Sequence, residues 1–293
     1  MAEYLSKFKT KAKTLLVPYI VWNAIAILVF YRQSFGMSVQ DIITGFWTMK
    51  NELFFYAEPW DGPLWFVRDL MVVIFCTPLI SWLVRKTGIV FIVAMLIYWF
   101  IFTKGQLPGF SPVAFLWFSF GAYLAIKKPD FSVALTPRRM AVVSALCFIF
   151  FFLKVFGIGK GSTFIVNARQ LGWVFSTMVA YFYIATVIAS RARNMARWSK
   201  LASTGFMIFA LHALIIGKVS GVMLHLVGKQ NVGNGLTFLF YNLTIVITVL
   251  ICYYASILVE KNLFLSQILC GNRDRKDPSI KVQSNLHSQK FDV

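Results

Sequence analysis

The run Pro63-Leu64-Trp65-Phe66-Val67-Arg68-Asp69-Leu70 puts an arginine and an aspartate side by side at the head of a segment that stays apolar to Val84. A segment of that length can cross a bilayer, and a charge pair inside one is costly unless it has a partner or a task. The Arg68 guanidinium is suited to hold an oxyanion through two parallel hydrogen bonds, and Asp69 to orient it. With the neighbouring ring of Trp65, this makes Arg68, Asp69 and Trp65 the candidate substrate-binding residues. The competing reading is an ion pair, or an arginine that snorkels to set the depth of a helix. His212 lies in the middle of another apolar run that begins at Ser203. An imidazole can act as a general base near neutral pH, which makes His212 the candidate catalytic residue. The plainer reading is a neutral histidine hydrogen-bonded between helices.

Lipid-embedded elements must position these groups. Hydrophobic residues are 58% of the 293 positions and charged residues 14%, with a mean hydropathy of +0.70. Soluble domains average nearer half apolar and a quarter charged. Thirty Phe and nine Trp would be hard to cover in a water-soluble fold of this size. Crossing a core of roughly 30 Å takes about 20 helical residues. On that measure the chain predicts an all-α, polytopic transmembrane helix bundle of about eight spans, near 14–32, 63–84, 88–103, 110–127, 138–157, 169–190, 201–226 and 236–259. Pro18 is expected in the first turn of its span, where its missing N–H matters little. The bundle is expected to fill residues 1–270, and the polar stretch 271–293, which lacks periodicity, reads as a disordered cytoplasmic tail.

The basic residues orient the bundle. With both termini cytoplasmic, the inner segments take 20 of the 29 Lys and Arg, from Lys7–Lys13 at one end to Lys261 and the tail at the other. Every inner loop is then richer in positive charge than its outer neighbours. This accounts for the net charge of +18 without nucleic acid as a partner. The long outer loop 33–62 contains Asp41, Glu52, Glu58 and Asp61, and a helical apolar face at 39, 42, 43, 46 and 47. The tryptophans mostly flank span ends, as an aromatic belt does. Asn23 and Asn242 are mid-span amides, whose commonest use is a hydrogen bond between helices. Four cysteines without paired spacing give neither a disulfide framework nor a metal cluster, and no metal site is expected.

Three landmarks, in order, resemble the acyltransferase-3 family of polytopic membrane O-acyltransferases. Lys7 to Tyr19 is similar to that family's basic loop running into Leu-x-x-Pro-Tyr, and Gly62 to Leu70 to its Leu-Trp-Phe-Leu helix start. Ser203 to His212 is similar to its late Ser-x-x-Ile-Tyr-x-x-His helix, with Phe209 where tyrosine is usual. The resemblance implies transfer of an acyl group, acetyl or succinyl, from acyl-CoA to a cell-surface carbohydrate or lipid-linked sugar. Acyl-CoA is then a co-substrate, no cofactor is held, and the protein sits in the bacterial inner membrane. The family's pattern has ten spans and a catalytic histidine in the first, about ten residues after an arginine. No histidine precedes His212 here, and the first landmark normally follows the second family helix. The expectation is that about two N-terminal helices have no counterpart in these 293 residues, and that alone they turn over only at background. Two other classes fit the same features: a transporter or flippase of a lipid-linked sugar, and a catalytically dead membrane scaffold.

Overall fold

A computed structural model describes residues 2–30, 36–47, 58–101, 108–127, 136–158, 161–191, 203–227 and 234–271, and every regular element among them is helical. In chain order the helices are α1 (Ala2–Val29), α2 (Val39–Thr44), α3 (Trp65–Phe75), α4 (Thr77–Thr87), α5 (Ile89–Ile101), α6 (Pro112–Lys127), α7 (Pro137–Val155), α8 (Thr163–Arg191), α9 (Gly205–Val227), α10 (Asn234–Glu260) and α11 (Leu263–Cys270), with a 3-10 turn at Gly62–Leu64 before α3. Each predicted span contains helix. The predicted tail, apart from Gly271, falls outside the described residues.

Two features differ from the sequence expectation. The segment 63–84 is not one rod but two helices, α3 and α4, that part at Cys76. Pro78 explains the break: it has no N–H to give to the Ile74 carbonyl, and its ring crowds the preceding turn. In the other case α1 begins well upstream, at Ala2, so Pro18 stands inside the helix rather than in its first turn. The carbonyl of Thr14, four residues earlier, therefore loses its helical donor.

Length and composition make three helical stretches able to cross a membrane: Thr163–Ile188, Gly205–His225 and Leu236–Glu260. A fourth is added if the bent pair α3 and α4 crosses as one span. Lys13–Val29, Ile89–Phe100 and Pro112–Lys127 are apolar but shorter. Only 6% of the most apolar window of Thr163–Ile188 is buried within the protein. Phe164, Tyr181 and Phe182 on it, like Phe238, Tyr241 and Tyr254 on α10, lie open. Apolar surface on this scale is stable against lipid rather than water.

The chain divides into two compact units. The one built from residues 78–105 and 115–200 is organised by the α7–α8 pair. Phe150 lays its ring on the bare backbone of Gly172, where any β-carbon would collide with it. The rings of Phe151 and Trp173 meet beside it at a tilt of 37°, with ring centres 5.7 Å apart. Arg169 donates from Nη1 to the carbonyls of Leu153 (3.1 Å) and Ile158 (2.7 Å). It thus adds a second donor to the Leu153 carbonyl, which already accepts the Ile158 N–H at 3.1 Å, and supplies one to the Ile158 carbonyl just beyond α7, where a cation also suits the helix dipole.

The other unit takes residues 1–77, 106–114 and 201–293. In it α10 packs chiefly on α9, and its buried stripe is Thr244, Thr248, Cys252 and Ser256, one residue per turn. Small side chains at that spacing let helix backbones approach closely. Across this unit runs an apolar core of Tyr19, Trp22 and Ala26 from α1, Trp60 and Leu64 from the turn region, Val67 from α3, and Met207, Ala210 and Leu214 from α9. Tyr19, Trp22, Asn23 and Ala26 recur at i, i+3, i+4 and i+7, so a single face of α1 supplies these four buried groups, with Pro18 buried beside them.

Candidate functional site

The site is assembled where the segments 36–47 and 58–64 dock on α1 and α3. Ser38 starts α2 by accepting the Asp41 N–H at 3.1 Å, an N-cap that satisfies one of the helix's free donors. Gly45 ends it, and the Trp60 indole lies so close to Gly45 that a side chain there would displace the ring. Trp60 is then fixed at both ends: its backbone N–H donates to the Gly45 carbonyl at 3.0 Å and its Nε1 to the Ile42 carbonyl at 3.1 Å. From α1, the Tyr19 hydroxyl donates to the Phe46 carbonyl.

Arg68 continues this docking from α3. It is 4% exposed, and its Nε donates to Oδ1 of Asp69 at 3.1 Å. Its Nη1 donates to the Trp47 carbonyl at 2.6 Å, and the guanidinium lies 5.6 Å from the centre of the Trp47 ring. A buried guanidinium held by a carboxylate, a carbonyl and an aromatic face is well compensated. Trp47 itself donates from Nε1 to the Pro108 carbonyl at 3.3 Å and rests over Gly109, whose φ of +87° and bare α-carbon leave room for the ring.

Asn23 links α1 to the start of the 3-10 turn. Its Nδ2 donates to the Tyr19 carbonyl at 2.8 Å, within its own helix, and its Oδ1 accepts the backbone N–H of Asp61 at 3.1 Å. The amide thus bonds to a loop rather than to a second helix. Asp61 is fully buried, and among the described residues neither of its carboxylate oxygens has a hydrogen-bond partner. It occupies the N-cap position of the turn without capping it. Burial pushes its carboxyl up to about 7, because the charged form loses its hydration. Half-buried Glu58 is also raised by burial, with the Arg68 charge pulling the other way.

Of the residues chosen from sequence, Arg68 and Asp69 are brought together in this buried cluster. Trp65 is 38% exposed and meets Phe66 edge-on, with ring centres 6.2 Å apart. His212 is set about half a turn around α9 from Ala210 and Leu214, which pack on the core. Its Nδ1 faces the carbonyls of Ile208 (3.0 Å) and Phe209 (2.7 Å). Carbonyls only accept, so Nδ1 carries the proton and the lone pair of the neutral ring is at Nε2. Phe209 stands between α3 and this histidine, its ring centre 6.2 Å from that of Phe66 and 6.4 Å from that of His212. Sequence reasoning counted Asp61 only among the acidic residues of a loop and did not weigh Tyr19. The i, i+3, i+4, i+7 spacing on α1 and an aspartate directly before Gly62-Pro63 were the available signals.

These features define an all-helical integral membrane protein with a buried ionic cluster beneath a docked segment. The acyltransferase-3 model, described as an acyltransferase domain, matches residues 2–257, and the chain belongs to that family. It is similar to the succinoglycan biosynthesis protein ExoH of Rhizobium meliloti (strain 1021), with 34% identity over 102 residues. That stretch is 33% of this chain and 28% of the length of ExoH. No solved structure matches the chain.

Proposed function

We propose that the chain is a membrane O-acyltransferase that moves an acetyl or succinyl group from acyl-CoA to a hydroxyl of a cell-surface carbohydrate or lipid-linked sugar. The observation that carries this reading is the family match over residues 2–257, which includes the Arg68–Asp69 cluster. The name of ExoH, a succinoglycan biosynthesis protein, supports a polysaccharide acceptor. In the reaction the hydroxyl oxygen attacks the thioester carbonyl, the carbon–sulfur bond breaks, and the hydroxyl proton passes through a base to the departing thiolate. Arg68, Asp69 and Trp65 form the acceptor side. The test is transfer of label from acetyl-CoA or succinyl-CoA to a lipid-linked oligosaccharide by the protein in proteoliposomes. We expect an alkali-labile ester on the sugar. Sugar crossing the bilayer at a rate indifferent to acyl-CoA, with no ester formed, would replace this reading by a flippase.

The same reading places the protein in the bacterial inner membrane, with eight spans, both termini cytoplasmic, and 33–62 outside. The support is the partition of Lys and Arg among the loops. A cysteine introduced at Glu52 is expected to react with an impermeant maleimide in intact spheroplasts, and one at Lys200 only after lysis. The reverse pattern would invert the topology.

A further inference from the structure

We propose that residues 36–47 and 58–64 form a cover over Arg68, held shut while Asp61 is uncharged and released when Asp61 ionises. Docked, the cover closes the candidate site. Arg68 is 4% exposed, its Nη1 is taken by the Trp47 carbonyl, and the Trp47 ring lies against the guanidinium. A substrate group meets those donors only after Trp47 moves away. That a carbohydrate acceptor then enters rests on the acyltransferase reading; the cover itself rests on the contacts alone.

Asp61 couples the cover to pH because docking takes its carboxyl out of water and returns no bond to it. Neither oxygen has a hydrogen-bond partner among the described residues, and Pro63 has no N–H to offer. Residue 61 is tied through its backbone, with the N–H on Asn23 Oδ1 and the carbonyl accepting from Leu64 at 2.9 Å. An unpaired carboxylate is far costlier to bury than a neutral carboxyl, so protonation and docking favour each other. Against that cost the cover is held by the Tyr19 hydroxyl on the Phe46 carbonyl, by the Trp60 ring, and by the part-buried Ile42 and Phe46. The ionisable groups around Asp61 are Tyr19 from α1, Arg68 and Asp69 from α3, and Glu58 from its own segment. From α9 come the apolar Met207, Ala210 and Leu214, with Lys218 exposed one turn further along. Arg68 engages Asp69 through Nε and Trp47 through Nη1. Released, the Asp61 carboxyl titrates at its ordinary 3.8; docked, burial raises it to about 7. Docking is therefore fully favoured below about 4, weakens as pH rises through that interval, and levels off above about 7.

Hydrogen exchange of the full 293-residue chain in nanodiscs, read by mass spectrometry and corrected for the intrinsic rate, tests the cover with no substrate present. From about pH 5.5 to about pH 8 the amides of 36–47 and 58–64 should exchange about 30-fold faster, while those of α9 and α10 stay unchanged. Asp61→Asn, which cannot ionise, should keep the slow rate at both pH values, and Glu58→Gln should open as the wild type does. At about pH 8 phenylglyoxal should modify Arg68 at least about tenfold faster in the wild type than in Asp61→Asn. Should Asp61→Asn not fold, infrared titration of Glu58→Gln decides. A protonated carboxyl band present at about pH 5.5 and gone at about pH 8 supports the cover; a band absent at the lower pH or undiminished at the higher overturns it. Equal wild-type exchange at both pH values, an Asp61→Asn variant that opens as the wild type does, equal modification of Arg68 in the two proteins, or loss of the pH response in Glu58→Gln overturns it too. The acyltransferase reading stands or falls separately, on transfer of label from acyl-CoA.

Discussion

Arg68→Leu is expected to remove most of the folded protein from the membrane. The substitution strips the counter-charge from Asp69, which is 1% exposed, and the donor from the Trp47 carbonyl. Breaking a buried ion pair by deleting one partner costs about 3–5 kcal/mol, because the other charge stays behind unpaired. That is a large part of a typical total stability of roughly 5–15 kcal/mol. Fluorescence-detected size exclusion of detergent extracts should show the monodisperse peak falling by most of its height. Replacing both partners separates an ionic role from a packing role. Arg68→Met with Asp69→Leu leaves no buried charge, and such exchanges are often neutral or stabilising, so the double variant should regain much of the lost peak while transfer stays absent. Arg68→Lys keeps the charge without the planar fork. A single ammonium does not reach Asp69 and Trp47 with the same geometry, so near-normal abundance with reduced transfer is expected. A double variant no more abundant than Arg68→Leu would show that the guanidinium packs rather than pairs.

The helices of this protein could be read from the sequence because the bilayer imposes a length. Runs such as 169–190 and 236–259 need no tertiary partner to be recognised, and α8 and α10 contain them. What length alone could not reveal was interruption. The span 63–84 passes a hydropathy test whether or not it bends, and only the missing N–H of Pro78 distinguishes two helices from one. The polar start of α1 was hidden for the opposite reason, because Lys7 to Lys13 look like loop by hydropathy while the backbone continues its helical bonds. The Arg68–Asp69 pair could be found because charge inside an apolar run is conspicuous. Asp61 could not be found in that way. It sits in a loop already rich in carboxylates, and its importance comes from Asn23, 38 residues away, and from the burial that docking imposes. No periodicity in residues 58–63 announces such a contact.

The packing of α11 on α1 gives the second large effect, which turns on Gly271. Pro18 gives no N–H to the Thr14 carbonyl, and it is against this carbonyl that Gly271 packs, with a φ of +65°. A β-carbon at 271 would collide with the Thr14 carbonyl oxygen, a backbone atom that cannot swing aside. The left-handed conformation adds about 1–2 kcal/mol for any L side chain, and more for a β-branched one. Gly271→Val should therefore release α11, which otherwise receives the Trp22 Nε1 hydrogen bond on the Leu269 carbonyl at 2.8 Å. Cys270 reports the release. Burial and the Glu260 charge raise its thiol to about 11, so little thiolate is present at neutral pH. Freed from α1, the thiol should return towards about 8.5, which increases the thiolate fraction roughly 300-fold before any gain in access is counted. Maleimide labelling at pH 7, located by mass spectrometry, should show Cys270 reacting at least about tenfold faster in Gly271→Val than in wild type, with Cys252 unchanged. Equal rates in the two proteins would mean that α11 stays docked, and that neither the Thr14 carbonyl nor the left-handed turn controls its position.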